Sequence, residues 1–231
     1  MGDERSIEWT CRSFGWAGQA LRYRIHGHRG GEFVLTEHEP LKSLWGEFCD
    51  ALGSISDEEI IVEFESNRRD AKSVSQALNR LIRRELRARG WKSESYIFAE
   101  DEYASKSKGI WRLDFAKEPL CVEVAFNHRS DIAWNLIKPT LASEMNHVRK
   151  AVQSEGGIVV TATEELKKAG GFDSAVGTYE DYVQYLRPMY QMLTSPLIIV
   201  GLEAPRTFTV GVASKGGRKV GYVKRIGRQE Q

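Results

Sequence analysis

Cysteine is scarce: Cys11, Cys49 and Cys121 form no CxxC pair and no zinc-like spacing with the five histidines. That excludes a disulfide framework and a structural zinc site, and it sets the expectation of a reduced, cytoplasmic protein. An excess of either charge is also missing. Lys plus Arg number 33 against 32 Asp plus Glu, so the net charge gives no global pull toward a polyanion, and such a partner must be met by local clusters. No apolar run approaches the length of a membrane helix, and the opening MGDERSIEW lacks the apolar core of a signal peptide. No membrane association is expected. Met-Gly with Ser6 formally fits a myristoylation pattern; with nothing else pointing to a membrane, it reads as chance. Internal repeats and long linkers are absent too. A hydrophobic content of 41% in 231 residues suffices for one sizeable core, so a single domain over 1–231 is expected.

What is present centres on GIWRLDFAKEPLCVEVAFN, Gly109 to Asn127, which reads as a β-hairpin. Over Ile110–Ala116 and Cys121–Phe126 the side chains alternate with period two. Leu113, Phe115, Val122 and Val124 form a core face, while Arg112, Asp114, Glu123 and Ala125 point the other way. With Lys117 to Leu120 as the connection, Ala116 faces Cys121 and Asp114 faces Glu123, their Cβ atoms about 5 Å apart. Like charges in that position repel, whereas a divalent cation between them converts repulsion into attraction. The bland alternative is an amphipathic hairpin with a solvated acidic face. Apolar residues flank both acids, which favours a central strand, where uncompensated carboxylates are costly.

Along the rest of the chain, strands are expected at Ile7–Phe14 and Leu21–Ile25, with HGHRGG as a loop in which His26 and His28 carry no assigned role. Leu41, Leu44, Trp45, Phe48 and Leu52 predict a helix over Pro40–Leu52 ended by Gly53. Glu59–Phe64 reads as a short strand. Over Ser73–Arg89 an apolar stripe of Val74, Ala77, Leu78, Leu81, Ile82 and Leu86 predicts a helix whose other faces carry Arg80, Arg83, Arg84, Arg87 and Arg89. That arginine face is either a solvated surface or a polyanion contact. Glu85, at the stripe's border, is a candidate third acid. A strand at Trp91–Phe98 and a loop at Ala99–Gly109 lead into the hairpin.

After the hairpin, Asp131–Ser154 predicts the longest helix, with Pro139 as a kink. GIVVTAT and PLIIVGL read as buried strands separated by helices near Glu164–Ala169 and Tyr179–Leu193. The tail Lys215–Arg228 packs six basic residues among glycines, and reads as a flexible solubilising end or a phosphate contact. This succession predicts an α/β fold whose later strands are parallel.

From Leu78 to Leu202 the chain resembles the PD-(D/E)XK nuclease superfamily, and within it the BglII-like type II restriction endonucleases. The resemblance rests on Asp114, on VEVAFNH with Glu123, on the helix ending at Gly90-Trp91, and on GIVVTAT and PLIIVGL in that order. It implies a restriction-endonuclease-like fold, a central mixed β-sheet flanked by helices, with its core at about 40–202 and residues 203–231 as a basic C-terminal extension. It further implies a homodimer closing on double-stranded DNA and Mg²⁺-dependent hydrolysis at a specific, palindromic site. By position, Asp114 and Glu123 would bind the Mg²⁺. The family usually carries Lys, Glu or Gln two residues after the second acid, and here that residue is Ala125. Glu85 and Asn127 are the candidates to compensate, so the expected catalytic set is Asp114, Glu123, Glu85 and Asn127. Arg80, Arg84, Arg129 and Lys138 are the expected DNA contacts.

Three other readings stay open: a repair-type or exonuclease member of the superfamily, a catalytically inactive DNA-binding module, and an unrelated α/β protein with no nucleic-acid role.

Overall fold

The computed structural model describes residues 20–66, 71–104, 109–144, 147–215 and 217–227; the strand expected at Ile7–Phe14 and the Met-Gly start lie outside them. Its centre is a sheet of six strands, β1 (Tyr23–His28), β2 (Lys92–Tyr96), β3 (Arg112–Lys117), β4 (Leu120–Val124), β5 (Gly156–Ala162) and β6 (Leu197–Leu202). They lie in the order β1-β6-β5-β4-β3-β2. β4, β5 and β6 run parallel, whereas β1 and the β2–β3–β4 meander pair antiparallel. The α/β expectation and the parallel later strands hold. Every residue of β5 and β6 is buried, as expected of strands covered on both faces. The sheet also reaches upstream of residue 40, because β1 forms one edge and carries His26 and His28 within a strand rather than a loop.

The alternation of the strands sorts the core into two layers. Phe115, Val122, Ile158, Val160, Ile198 and Val200 face a layer built by α1 (Gly31–Glu37), α2 (Leu41–Gly53), α3 (Asp57–Ser66) and α4 (Ser75–Ala88). A short helix, α5 (Asp101–Ala104), interrupts the loop expected before the hairpin. Ala125, Val159, Leu197 and Ile199 face the opposite layer, built by α6 (Ile132–Ser143) and α8 (Tyr179–Leu186), while α7 (Glu164–Ala169) follows β5 as expected. α6 comes close to the sheet because β5 opens on glycine: a Cβ on Gly157 would stand 2.5 Å from Pro139 Cβ.

Three further elements, all helical, differ from expectation in kind or extent. Residues Glu59–Phe64 lie in helix α3, not a strand. Ser56 and Glu59 form a reciprocal capping box, and three acids stand in the first turn. Ile60, Ile61 and Phe64 then bury together at helical spacing, which outweighs the strand preference of Ile-Ile-Val. Second, α6 stops at Ser143, so at 12 residues it is shorter than the 14 of α4. Val152 is buried against Ile97 and Phe98 instead, and the chain there is tied to them by a Phe98–Lys150 bridge. Third, α8 ends at Leu186 because Pro188 cannot continue it. The carbonyls beyond are taken up from β1 and the turn after it: His28 Nε2 and Arg29 Nε each donate to the Leu193 carbonyl at 2.7 Å.

The basic C-terminal segment is not a flexible tail over its described length. It forms a hairpin of β7 (Phe208–Lys215) and β8 (Arg218–Arg225). Phe208 is buried in the first core layer, and Asp57 Oδ2 accepts from the Arg206 and Thr207 N–H groups and the Thr207 hydroxyl. Arg225 forks onto Glu58. If the hairpin is part of the fold in this way, Phe208→Ala costs about 3–5 kcal/mol in urea denaturation; a loss below 1 kcal/mol would mark it as a dispensable tail.

Candidate active site

The β3–β4 connection is Glu118-Pro119, and its register places Ala116 opposite Cys121 and Phe115 opposite Val122, as the sequence predicts. At the next rung the side chains take over from the backbone. The Asp114 N–H donates to Glu123 Oε1 at 3.3 Å, and the Val124 N–H donates to Asp114 Oδ2 at 2.7 Å. Each acid is thus anchored by a main-chain donor of the facing strand, and the two carboxylates are brought together where the hairpin opens. The strict alternation breaks at this point. Leu113 buries with Ala116 and Cys121 rather than with Phe115.

Glu123 is 1% exposed, with its back to the buried β5. Burial and the neighbouring charge of Asp114 push its carboxyl up to about 8, against the pull of Lys138 and the Asp114 N–H. Burial likewise raises Asp114, opposed by the Val124 N–H and by Lys138. Lys138 reaches in from α6: its ammonium pairs with Glu123 Oε2 and donates to the Arg112 carbonyl at 3.3 Å. Nearby, Asn135 Nδ2 donates both to Asn127 Oδ1 at 2.9 Å and to the Tyr182 hydroxyl at 2.7 Å. Cys121 is no nucleophile here, since burial pushes its thiol up to about 12.

The other expected site residues are placed as follows. Glu85 is not brought to the acid pair: its carboxylate accepts from Ser54, Arg84 and Arg89 between α2 and α4. Burial raises its pKa, but those bonds outweigh burial and hold it low. Asn127 follows β4, two residues past Ala125, and is held by Asn135. Arg80 pairs with Glu63, Arg84 with Glu59 and Glu85, and Arg129 with Asp181. Apart from Glu85, the acids that offset the arginine face lie on other elements, Glu59 and Glu63 on α3 and Glu94 on β2. Arg83 and Arg112 share Glu94 in the same manner.

Lys138, expected on the DNA surface, has a side chain only 11% exposed and belongs to the acid pair instead. The signal that locates it was present in the chain: in IAWNLIKPTLAS it is the single charged residue of an otherwise uncharged, largely apolar helix.

Among the described residues no group of three His, Cys, Asp or Glu is disposed to hold a metal. Two carboxylates are nonetheless the donor set that suits Mg²⁺, which keeps several waters and takes one or two carboxylates plus substrate phosphates.

A family model described as "Restriction endonuclease BglII/BglIII" matches residues 23–202. The chain belongs to that family. It is accordingly a type II restriction endonuclease. Among solved structures it is similar to restriction endonuclease BglII complexed with a DNA 16-mer, at 16% identity and a TM-score of 0.56, covering 88% of this chain and 89% of that one. Free BglII is also similar, at 18% identity and a TM-score of 0.47, covering 88% and 91%. No curated protein sequence matches. The family match spans all six strands of the sheet and stops before the β7–β8 hairpin.

Because both acids hold protons more tightly folded than unfolded, the metal-free protein loses stability as pH rises from their ordinary values toward about 8. Asp114→Asn retains an acceptor for the Val124 N–H and removes the like charge. It is expected to raise the melting temperature of metal-free protein at pH 8 by about 2–4 °C, the shift that about 1 kcal/mol produces at this size. Near pH 5, where Glu123 is protonated, the gain shrinks; calorimetry at both pH values checks it, and an unchanged or lowered melting temperature at pH 8 counts against repulsion within the pair.

Proposed function

We propose that Asp114 and Glu123 are the hydrolytic centre of an Mg²⁺-dependent endonuclease of the PD-(D/E)XK superfamily, cutting duplex DNA at a specific, palindromic site. The observation that carries this reading is the opened hairpin, where two carboxylates of like charge, Glu123 buried and Asp114 partly buried, are each anchored by a main-chain N–H of the facing strand. The BglII structure complexed with a DNA 16-mer supports DNA as the substrate. Mg²⁺ bound by the two carboxylates would supply polarisation of the scissile phosphate and a more acidic water. The chain's own part is to hold these acids in register and to keep Glu123 out of bulk water. Asn127, held by Asn135, which also donates to the Tyr182 hydroxyl, is a fixed polar group just beyond the end of β4.

Arg80, Arg84 and Arg129 are the phosphate contacts of this reading. Their ion pairs are partly exposed, and such pairs are worth about 1 kcal/mol or less, so phosphates can displace the carboxylates. A homodimer, each protomer reading one half-site, is the assembly that matches a palindrome. The whole chain acts as one domain, with residues 203–231 as its basic extension. Among the described residues no helix is long and apolar enough to cross a membrane, in keeping with a cytoplasmic enzyme.

Purified protein is expected to cut plasmid DNA into discrete fragments with Mg²⁺ or Mn²⁺ and not with EDTA. Glu123→Ala or Asp114→Ala should lower that rate at least a thousandfold while binding of duplex DNA persists. Diffuse digestion from DNA ends would point to an exonuclease. Binding without cutting under every condition would favour the inactive module that Ala125 suggests.

A further inference from the structure

The site as described has two acids and, at the position two residues past Glu123, only the methyl group of Ala125. Ala125 directly follows β4 and its N–H still bonds the Val160 carbonyl of β5, so residues 123 and 125 project to the same side, the side that α6 covers: Ala125 packs with Ile132 and Leu136 of that helix, and Glu123 pairs with its Lys138. Burying an ammonium is costly unless it is paired, and an apolar side chain of similar length would fill the same space without that cost. The retained charge therefore calls for a reason beyond packing. Its partners supply one. They are the Glu123 carboxylate on β4 and the Arg112 carbonyl on β3, so Nζ spans the two strands at the rung where the hairpin opens.

We propose that Lys138 delivers, from helix α6, the catalytic side chain that strand β4 omits at Ala125, with its ammonium directed at the phosphate under attack. This rests on the reading of Asp114 and Glu123 as the hydrolytic pair. In the reaction a water oxygen forms a bond to phosphorus and the bond to the leaving oxygen breaks. The water's proton passes to solvent, and the leaving oxygen takes one from solvent. Negative charge builds on the non-bridging oxygens as this happens. A fixed cation with three N–H donors stabilises that charge and orients the water, and Lys138 keeps its own proton throughout. The glycine at 157 is part of the arrangement, because the close approach of Pro139 to β5 brings the preceding residue over β4.

The test compares the full-length parent with Lys138→Met and with Ala125→Lys/Lys138→Met, using mixed-sequence DNA in single-turnover reactions with Mg²⁺. Mn²⁺ binding followed by electron paramagnetic resonance is the second readout. Lys138→Met should cut at least about a hundredfold more slowly, a loss typical of removing one such donor. It should bind Mn²⁺ at least as tightly as the parent, since a cation competing for Glu123 has gone. Returning the lysine to the strand in the double variant should recover tenfold or more. Lys138→Gln, which retains N–H donors without the charge, carries the same expectation where Lys138→Met melts early. Cutting within threefold of the parent overturns the proposal; so does a double variant no faster than Lys138→Met, or a loss of Mn²⁺ binding that matches the loss of rate, which would leave Lys138 as a mere prop for Glu123. A parent that cuts no DNA would instead strike the assignment of the acid pair itself.

Discussion

Everything at the site depends on the exchange of one rung of backbone pairing for two carboxylate–amide hydrogen bonds. A carboxylate in the middle of a buried sheet is expensive, and a second beside it more so. The hairpin meets that cost locally, giving each acid one main-chain N–H of the opposite strand, and α6 adds the Lys138 ammonium. The opening would be a weak point in an isolated ribbon. Here the hairpin is clamped between β2 and β5, with β5 and β6 buried along their whole length, so the rest of the sheet holds the strained electrostatics in place.

The same logic explains where the site lies. Glu123 is the penultimate residue of β4, and the chain beyond it carries Ala125, Asn127 and Arg129 over the carboxyl edge of the parallel strands. In open α/β sheets that edge is where loops and strand ends converge on a ligand. The Gly177 N–H donates to the Asn127 carbonyl, and Thr161 on β5 donates to the carbonyls of Ala125 and Gly177. The rim is thereby fixed by one backbone bond and the Thr161 hydroxyl, independent of the acids it surrounds.

Period-two alternation was enough to read the hairpin and its register at Ala116–Cys121, because a buried face on a short connection leaves little freedom of register; beyond Phe115 the alternation fails, and bonds from main-chain N–H groups to the two carboxylates bring Asp114 and Glu123 together. The buried strands were legible as unbroken apolar runs for the same reason. Where the sequence misled, short-range pattern lost to partners distant in the chain. Ile-Ile-Val at 60–62 looked like strand until the Ser56–Glu59 cap and the shared burial of Ile60, Ile61 and Phe64 made it helix. The arginines of α4 looked uncompensated because Glu59, Glu63 and Glu94 lie 17 or more positions away for two of the pairs and on a separate strand for the third.

Lys138 is the instructive case. By charge alone it reads as one more surface cation, and its position in α6 reverses that reading. A helix whose remaining residues are uncharged has its single cation on a face that packs against β3, β4 and β5, where the structure also places two acids of like sign. A strand-borne group beside Glu123 must share the pleat with it, whereas a helix-borne group approaches from the layer above and leaves the strand free to pack its alanine against Ile132 and Leu136. The missing side chain of β4 and the buried charge of α6 are thus two halves of one electrostatic arrangement, and neither is interpretable without the other.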